Sequence, residues 1–180
     1  DVRKFIRILQ NDFEDKMRNT EAEGTISKLF IGTMKTHIKC VNVDYESLRF
    51  EDYYDVQFDV KKCSTLEDSF TEYVQEKILD GDNKYHAEVY GLQVAKKSVV
   101  FESFPPILHI HLDRSEYDAQ NNISNNRYEF PMEIDLQKYL SPDADKSKPY
   151  KYILHGVLIH ITDNDRDQYF ALLKTEKYDD

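Results

Sequence analysis

The sequence predicts an α+β fold from three observations: apolar residues at three-and-four spacing near the N-terminus, stretches of strict alternation after it, and a strand-rich second half divided by Pro105-Pro106. A helix-first, then largely antiparallel chain of this kind places its main sheet in the C-terminal half. Val2, Phe5, Ile6, Leu9, Phe13 and Met17 mark one face of an amphipathic helix packing on a core, with charge opposite. Gly24 ends the charged stretch that follows, and Ile26 to Ile31 is apolar enough for a short strand before a turn at Gly32. The next alternation runs through Met34, Ile38 and Cys40 and then through Val41, Val43 and Tyr45. That change of parity predicts a bulge between Cys40 and Val41.

Tyr54, Val56, Phe58 and Val60 alternate with Asp55, Gln57 and Asp59, which predicts a half-exposed antiparallel strand forming a long hairpin with the one before it. Ser64 followed by Glu67 has capping-box spacing, and Leu66, Phe70, Tyr73 and Val74 supply the apolar side of a short helix behind it. Asp80-Gly-Asp-Asn83 is a turn. Further strands are expected from Val99 to Phe101, Ile107 to Leu112, Tyr128 to Phe130, Tyr152 to Ile161 and Tyr169 to Leu173. The polar, proline-bounded run Ser141 to Tyr150 reads as a surface loop.

With 180 residues and 40% hydrophobic content, the chain fits one ordinary domain, 1–180, with a sizeable core. The net charge of −10, from 34 acidic and 24 basic residues spread along the chain, argues against nucleic acid as a partner and suits a basic protein. No apolar run approaches the roughly 18 to 20 residues that span a bilayer, so no membrane role is expected. Cytoplasm or nucleus is the expected compartment, with a secreted effector as the alternative if a leader preceded Asp1. Cys40 and Cys63 form no Cys-x-x-Cys pair and read as reduced and buried, with a single bridge between them as the alternative in an exported protein.

Metal and cofactor signals are weak. Asp163, Asp165 and Asp167 imitate the start of a calcium loop, but Gln168 occupies the glycine position and Lys174 the bidentate glutamate position. His37 and Cys40 could supply half of a zinc site, and no second pair completes it. No cofactor is expected.

Several segments together resemble the catalytic domain of ubiquitin-specific proteases (peptidase C19), of the herpesvirus-associated type and nearest its fungal members. They are Glu23-Gly-Thr-Ile26, Lys28-Leu-Phe30, Val43-Asp-Tyr45, Asp80 to Tyr85, Gly91-Leu-Gln93, Phe104-Pro-Pro106 with Leu108-His109, Tyr128 to Pro131 and Leu154 to Leu158. The resemblance implies a papain-like fold represented by its palm and fingers with a mainly antiparallel sheet. Fingers would run approximately over 26–100 and the palm sheet over 101–180, with the thumb largely missing. It also implies that the cysteine box would lie upstream of Asp1.

The family's histidine box reads His-Ser-Gly, a variable stretch, then Gly-His-Tyr. Here the corresponding residues are His160-Ile-Thr and Asp167-Gln168-Tyr169. Glutamine has no nitrogen that titrates near neutrality, so Gln168 cannot act as the general base that ionises a nucleophilic cysteine. Arg166 and Asp167 replace small flexible residues, and Tyr178-Asp-Asp180 corresponds to the closing acidic box.

The resemblance further implies ubiquitin-contacting roles for Tyr85, His109, Tyr117, His160 and Tyr169, while Ser115 stands where the family carries an aromatic wall of the ubiquitin-tail channel. Each has a plainer reading: His160 ends a strand, and the tyrosines are ordinary aromatics in a chain with 13 of them. The expectation is therefore a catalytically inactive relative that acts by binding ubiquitin or ubiquitinated proteins. The alternative is a scaffold reused for an unrelated protein partner as effector, decoy or inhibitor of a full-length deubiquitinase. A homodimer through the surface left by the thumb is a further expectation.

Overall fold

The computed structural model describes residues 2–114, 126–163 and 166–175, and the side chains of all of these except 162, 163, 166 and 167. Helix α1 spans Val2–Met17 as the spacing predicts. Its orientation does not follow the prediction. Of the predicted face Phe5, Leu9 and Phe13 are exposed, as is Ile8, while Val2, Ile6 and Met17 are half-buried, and the inward side also carries Arg3, Arg7, Gln10 and Glu14. The helix is held through polar groups: the Arg7 guanidinium lies over the Tyr54 ring, and Glu14 accepts hydrogen bonds from the backbone N–H of Gly24 and Ser27 at 2.9 and 3.1 Å.

Glu14 thereby caps a second helix, α2, over Thr25–Phe30, where a strand was expected. A short apolar run does not distinguish strand from helix, and a carboxylate at free N-terminal N–H groups favours the helix. Gly24 enters it with φ 78°, a left-handed conformation suited to glycine.

The largest sheet among the described residues belongs to the N-terminal and middle parts of the chain, not to the C-terminal half. Strands β1 (Gly32–Cys40), β2 (Glu46–Tyr53), β4 (Lys77–Leu79) and β7 (Ala95–Ser103) assemble in the order β2-β1-β7-β4, all antiparallel. Between β2 and β4 lie strand β3 (Val56–Asp59) and helix α3 (Leu66–Val74). Strand β1 ends at Cys40, so the parity change there is a turn, and the irregularity falls between Thr33 and Met34 in the pairing with β7. Gly32 permits the start of β1 to approach Tyr53, because a Cβ there would sit 2.6 Å from the Tyr53 Cε1.

The alternation of Val56, Phe58 and Val60 correctly marks their burial, but their strand is not half of the expected hairpin. Strand β3 pairs in parallel with β8 (Ile110–Asp113), and β2 takes the hairpin place beside β1. Helix α3 is capped by the Thr65 hydroxyl, which accepts from the Asp68 N–H at 3.1 Å, one residue later than the predicted Ser64. Its Phe70 is fully buried among Phe58, Phe101, Phe104 and Tyr139, with ring centroids 4.9 to 6.2 Å apart. Burial of several rings around one point is the main apolar stabilisation of this core.

Small pairings complete the fold. Strand β5 (Tyr85–His86) pairs with β6 (Leu92–Gln93), and β9 (Glu133–Asp135) with β10 (Lys151–Ile153). Of the stretch Tyr128 to Phe130 only Glu129 pairs, in a single bridge to Thr65, while the buried Tyr128 hydroxyl meets the Ser69 Oγ at 2.7 Å. The expected strand from Tyr152 to Ile161 is broken at Leu154-His155, leaving β10 and then β11 (Gly156–Asp163), which forms an antiparallel hairpin with β12 (Arg166–Leu173). Both cysteines are free. Cys40 is buried as expected, whereas Cys63 is only partly covered.

Candidate functional site

In the β11–β12 hairpin His160 stands opposite Tyr169 and Ile161 opposite Gln168. The His160 and Tyr169 rings stack at 4.3 Å with an interplanar angle of 5°. Successive side chains of a strand project to opposite faces. Gln168 and Ile161 therefore share the face opposite the His160–Tyr169 stack. Among the predicted site residues that are described, the structure brings together only His160 and Tyr169. Both strands remain open to solvent: His160 and Gln168 are exposed, and Tyr169 retains half of its surface.

His109 and His111 project as the alternation predicts, away from Leu108, Ile110 and Leu112, which pack on the core. They lie on the side where α1 meets the β3–β8 pair. There Arg3 makes a forked contact with Asp55, Nη2 to Oδ1 at 2.6 Å and Nε to Oδ2 at 3.3 Å, and donates through Nη1 to Gln57 Oε1 at 2.8 Å. Gln57 in turn donates to Asp113 Oδ2 at 2.5 Å. The network ties the first turn of α1 to both strands by charge-assisted bonds.

Sequence reasoning did not single out Arg3, Asp55, Gln57 or Asp113 as a group. Their only local signal is the polar phase of the Asp55-x-Gln57 alternation, and it does not say that a helix from the far end of the segment would meet it. Burial lowers the pKa of His109 against the opposing pull of Asp55. Burial first, and then the Arg3 charge, lower that of His111. Both imidazoles are thus held toward the neutral form, and the His109 ring lies tilted by 37° against Phe30 of α2, their centroids 5.2 Å apart.

Tyr85 lies elsewhere, in a satellite cluster with Cys40, Ala87, Ala95 and Tyr45. Burial, the hydrogen bond to Tyr85 and the charge of Glu88 push the pKa of the Tyr45 hydroxyl up to about 12. Tyr117 and Ser115 fall outside the described residues, as do the side chains of Asp163, Asp165 and Asp167 and the segment Tyr178-Asp-Asp180. His37 Nε2 meets Glu46 Oε2 at 3.0 Å, and among the described residues no three His, Cys, Asp or Glu side chains converge as metal ligands. An open cavity of about 450 Å³ lies between α3, β3, β4 and β7, lined in part by Lys62, Cys63, Glu72, Lys77 and Lys97, and holds none of the predicted site residues.

The whole chain, residues 1–180, matches the family model described as ubiquitin carboxyl-terminal hydrolase. It is 52% identical to ubiquitin carboxyl-terminal hydrolase 5 of Schizosaccharomyces pombe, over 98% of this chain and 16% of that protein. Ubiquitin C-terminal hydrolase 12 of Arabidopsis thaliana is 48% identical over 97% of this chain and 16% of its own length. Ubiquitin carboxyl-terminal hydrolase 7 of Drosophila melanogaster is 43% identical over all of this chain and 17% of its own length. The chain thus spans about a sixth of the length of the curated relatives it matches.

Proposed function

The chain belongs to the ubiquitin carboxyl-terminal hydrolase family, and from that membership we propose that it acts by holding ubiquitin or a ubiquitinated protein without cleaving it. The observation that carries the reading is the hairpin register. By the resemblance Gln168 stands at the family's catalytic-histidine position, and His160, the nearby imidazole, projects from the opposite face, stacked on Tyr169. An amide cannot take a proton from a thiol near neutral pH, and a histidine on the wrong face cannot reach the thiol that a histidine at 168 would serve. The argument rests on these two strands, so it holds for a longer polypeptide that supplies a cysteine.

In this reading the fingers run approximately over 26–100, which takes in most of the four-stranded sheet, and the palm sheet over 101–180, beginning within β7 at Phe101. Ubiquitin presents a basic recognition face, which the acidic chain complements. Tyr85, His109 and the His160–Tyr169 pair are contact candidates within the described residues, with Tyr117 a further one by resemblance. An aromatic with a polar edge is a common interface anchor.

The test is a titration of isotope-labelled ubiquitin followed by backbone amide shifts, run beside a ubiquitin C-terminal fluorophore reporter. Shifts on ubiquitin's hydrophobic patch and tail with no fluorophore release are the expected result. Turnover by the protein with Gln168 intact would sink the non-cleaving reading. No shifts at high protein excess would sink the ubiquitin reading and favour a scaffold reused for another protein, which Arg166 and Asp167 at the family's small-residue positions already suit.

A further inference from the structure

Strand β2 is an edge of the four-stranded sheet, with no further strand paired to it among the described residues. Its pairing with β1 runs without a break from Gly32 opposite Tyr53 to Lys39 opposite Glu46. The segment Glu46-Ser-Leu-Arg-Phe-Glu-Asp-Tyr53 contains no proline, glycine, lysine or bulge. Of the devices that keep an edge from pairing it carries only charge, at Glu46, Arg49, Glu51 and Asp52, so its pairing depends on how those charges meet. Two large apolar side chains, Leu48 and Phe50, stand on one face of it with 55% and 57% of their surface open. The other face carries Arg49 and Glu51, both exposed, and Arg49 has no ion-pair partner among the described residues.

We propose that this edge pairs with a second copy of itself, antiparallel, across a two-fold axis at Phe50, so that two sheets become one. A two-fold axis perpendicular to the sheet keeps like faces together, so only registers centred on a residue are allowed. Centring on Arg49 sets arginine against arginine and Glu46 against Asp52, like charges at both places. Centring on Phe50 sets Arg49 against Glu51 of the partner subunit, twice by symmetry, and brings the two Phe50 rings together with Leu48 at the diagonal, while Leu48 stands directly opposite Asp52 of the partner subunit, which opposes no like charge. Directly opposed pairs of these kinds are favourable and like charges unfavourable. Self-complementary charge singles out this register and selects a second copy over an unrelated strand. The pairing surface lies on the opposite sheet edge from β4 and uses none of the residues assigned to ubiquitin contact, so it stands whether or not that assignment does.

The protein carrying this sequence is to be examined by sedimentation equilibrium over a concentration series, with Arg49→Glu, Glu51→Arg and their equimolar mixture. The wild type is expected to dimerise reversibly. Each single variant turns two attractive pairs repulsive and is expected to weaken association about tenfold to a hundredfold. In the mixture, a strand with two glutamates at these positions faces a strand with two arginines, so both pairs are attractive again and association returns as a heterodimer. Unchanged thermal melts of the exposed single variants verify that they fold. A wild type that stays monomeric at the highest concentration would overturn the proposal and assign the edge to a strand of another protein. Single variants that associate as tightly as the wild type, or a mixture no tighter than either, would overturn the register and with it the interface.

Discussion

Helix α3 and the β11–β12 hairpin carry comparable apolar side chains and treat them in opposite ways. Phe70 of α3 is fully buried with four rings around it, whereas Phe170, Leu172 and Leu173 of β12 are exposed, Leu173 at 65%. The difference teaches where this segment is self-sufficient. Around α3 each apolar face meets another drawn from β3, β7 and the turn at Tyr139. The hairpin satisfies its backbone by pairing but finds little side-chain cover, and the apolar stripe of α1 shares that condition. A two-stranded hairpin gains little stability on its own.

The largest effect belongs to Phe70. Truncation to alanine in a packed site is expected to cost about 3–5 kcal/mol, measured as the shift of a urea unfolding curve. A cost under about 1 kcal/mol would mean that the aromatic cluster is not the centre of stability.

The crevice between α1 and the β3–β8 pair is intermediate, and pH reads it. The folded pKa of His109 and of His111 lies below the ordinary histidine value, so as pH falls below about 6.5 the unfolded chain binds these protons first. Stability at neutral pH is therefore full, declines as pH falls from about 6.5 toward the folded values, and levels off below them. Urea curves over that range should show this slope, and His109→Gln should flatten it. A slope of opposite sign would mean that Asp55 outweighs burial at His109.

The smallest effect is expected at Phe170. Replacement by alanine should move unfolding by no more than about 0.5 kcal/mol, as at other uncovered positions. A loss close to that of Phe70 would erase the contrast between the two regions.

Legibility in the sequence followed the same division. Periodicity located α1, α3 and the buried phase of Val56, Phe58 and Val60, because each is a local pattern. It misassigned α1's contacts, since amphipathicity shows which face favours burial and not whether a neighbour covers it. It missed β2, where Leu48 and Phe50 stand among charges, and read Ile26 to Ile31 as a strand because the capping carboxylate, Glu14, comes from another helix. The parallel union of β3 with β8 left no local trace.

Of the site, the histidine-box resemblance singled out His160, Gln168 and Tyr169, and only folding adds the hairpin register that sets His160 against Tyr169 with Gln168 on the other face. The Arg3 network was invisible because its members, distant in sequence, are joined only by folding.

The β3–β8 pairing has a kinetic consequence. Parallel neighbours need a crossover, and here it is the entire run from Val60 to His109, including α3, β4 and β7. The two strands can meet only after that excursion has looped back, a non-local step of the kind that slows folding. Once closed, the loop is tolerant of length, since doubling it adds only about 0.6 kcal/mol of closure entropy. Insertions at the exposed turn near Asp82 should therefore lengthen the excursion with little loss of the junction beneath it.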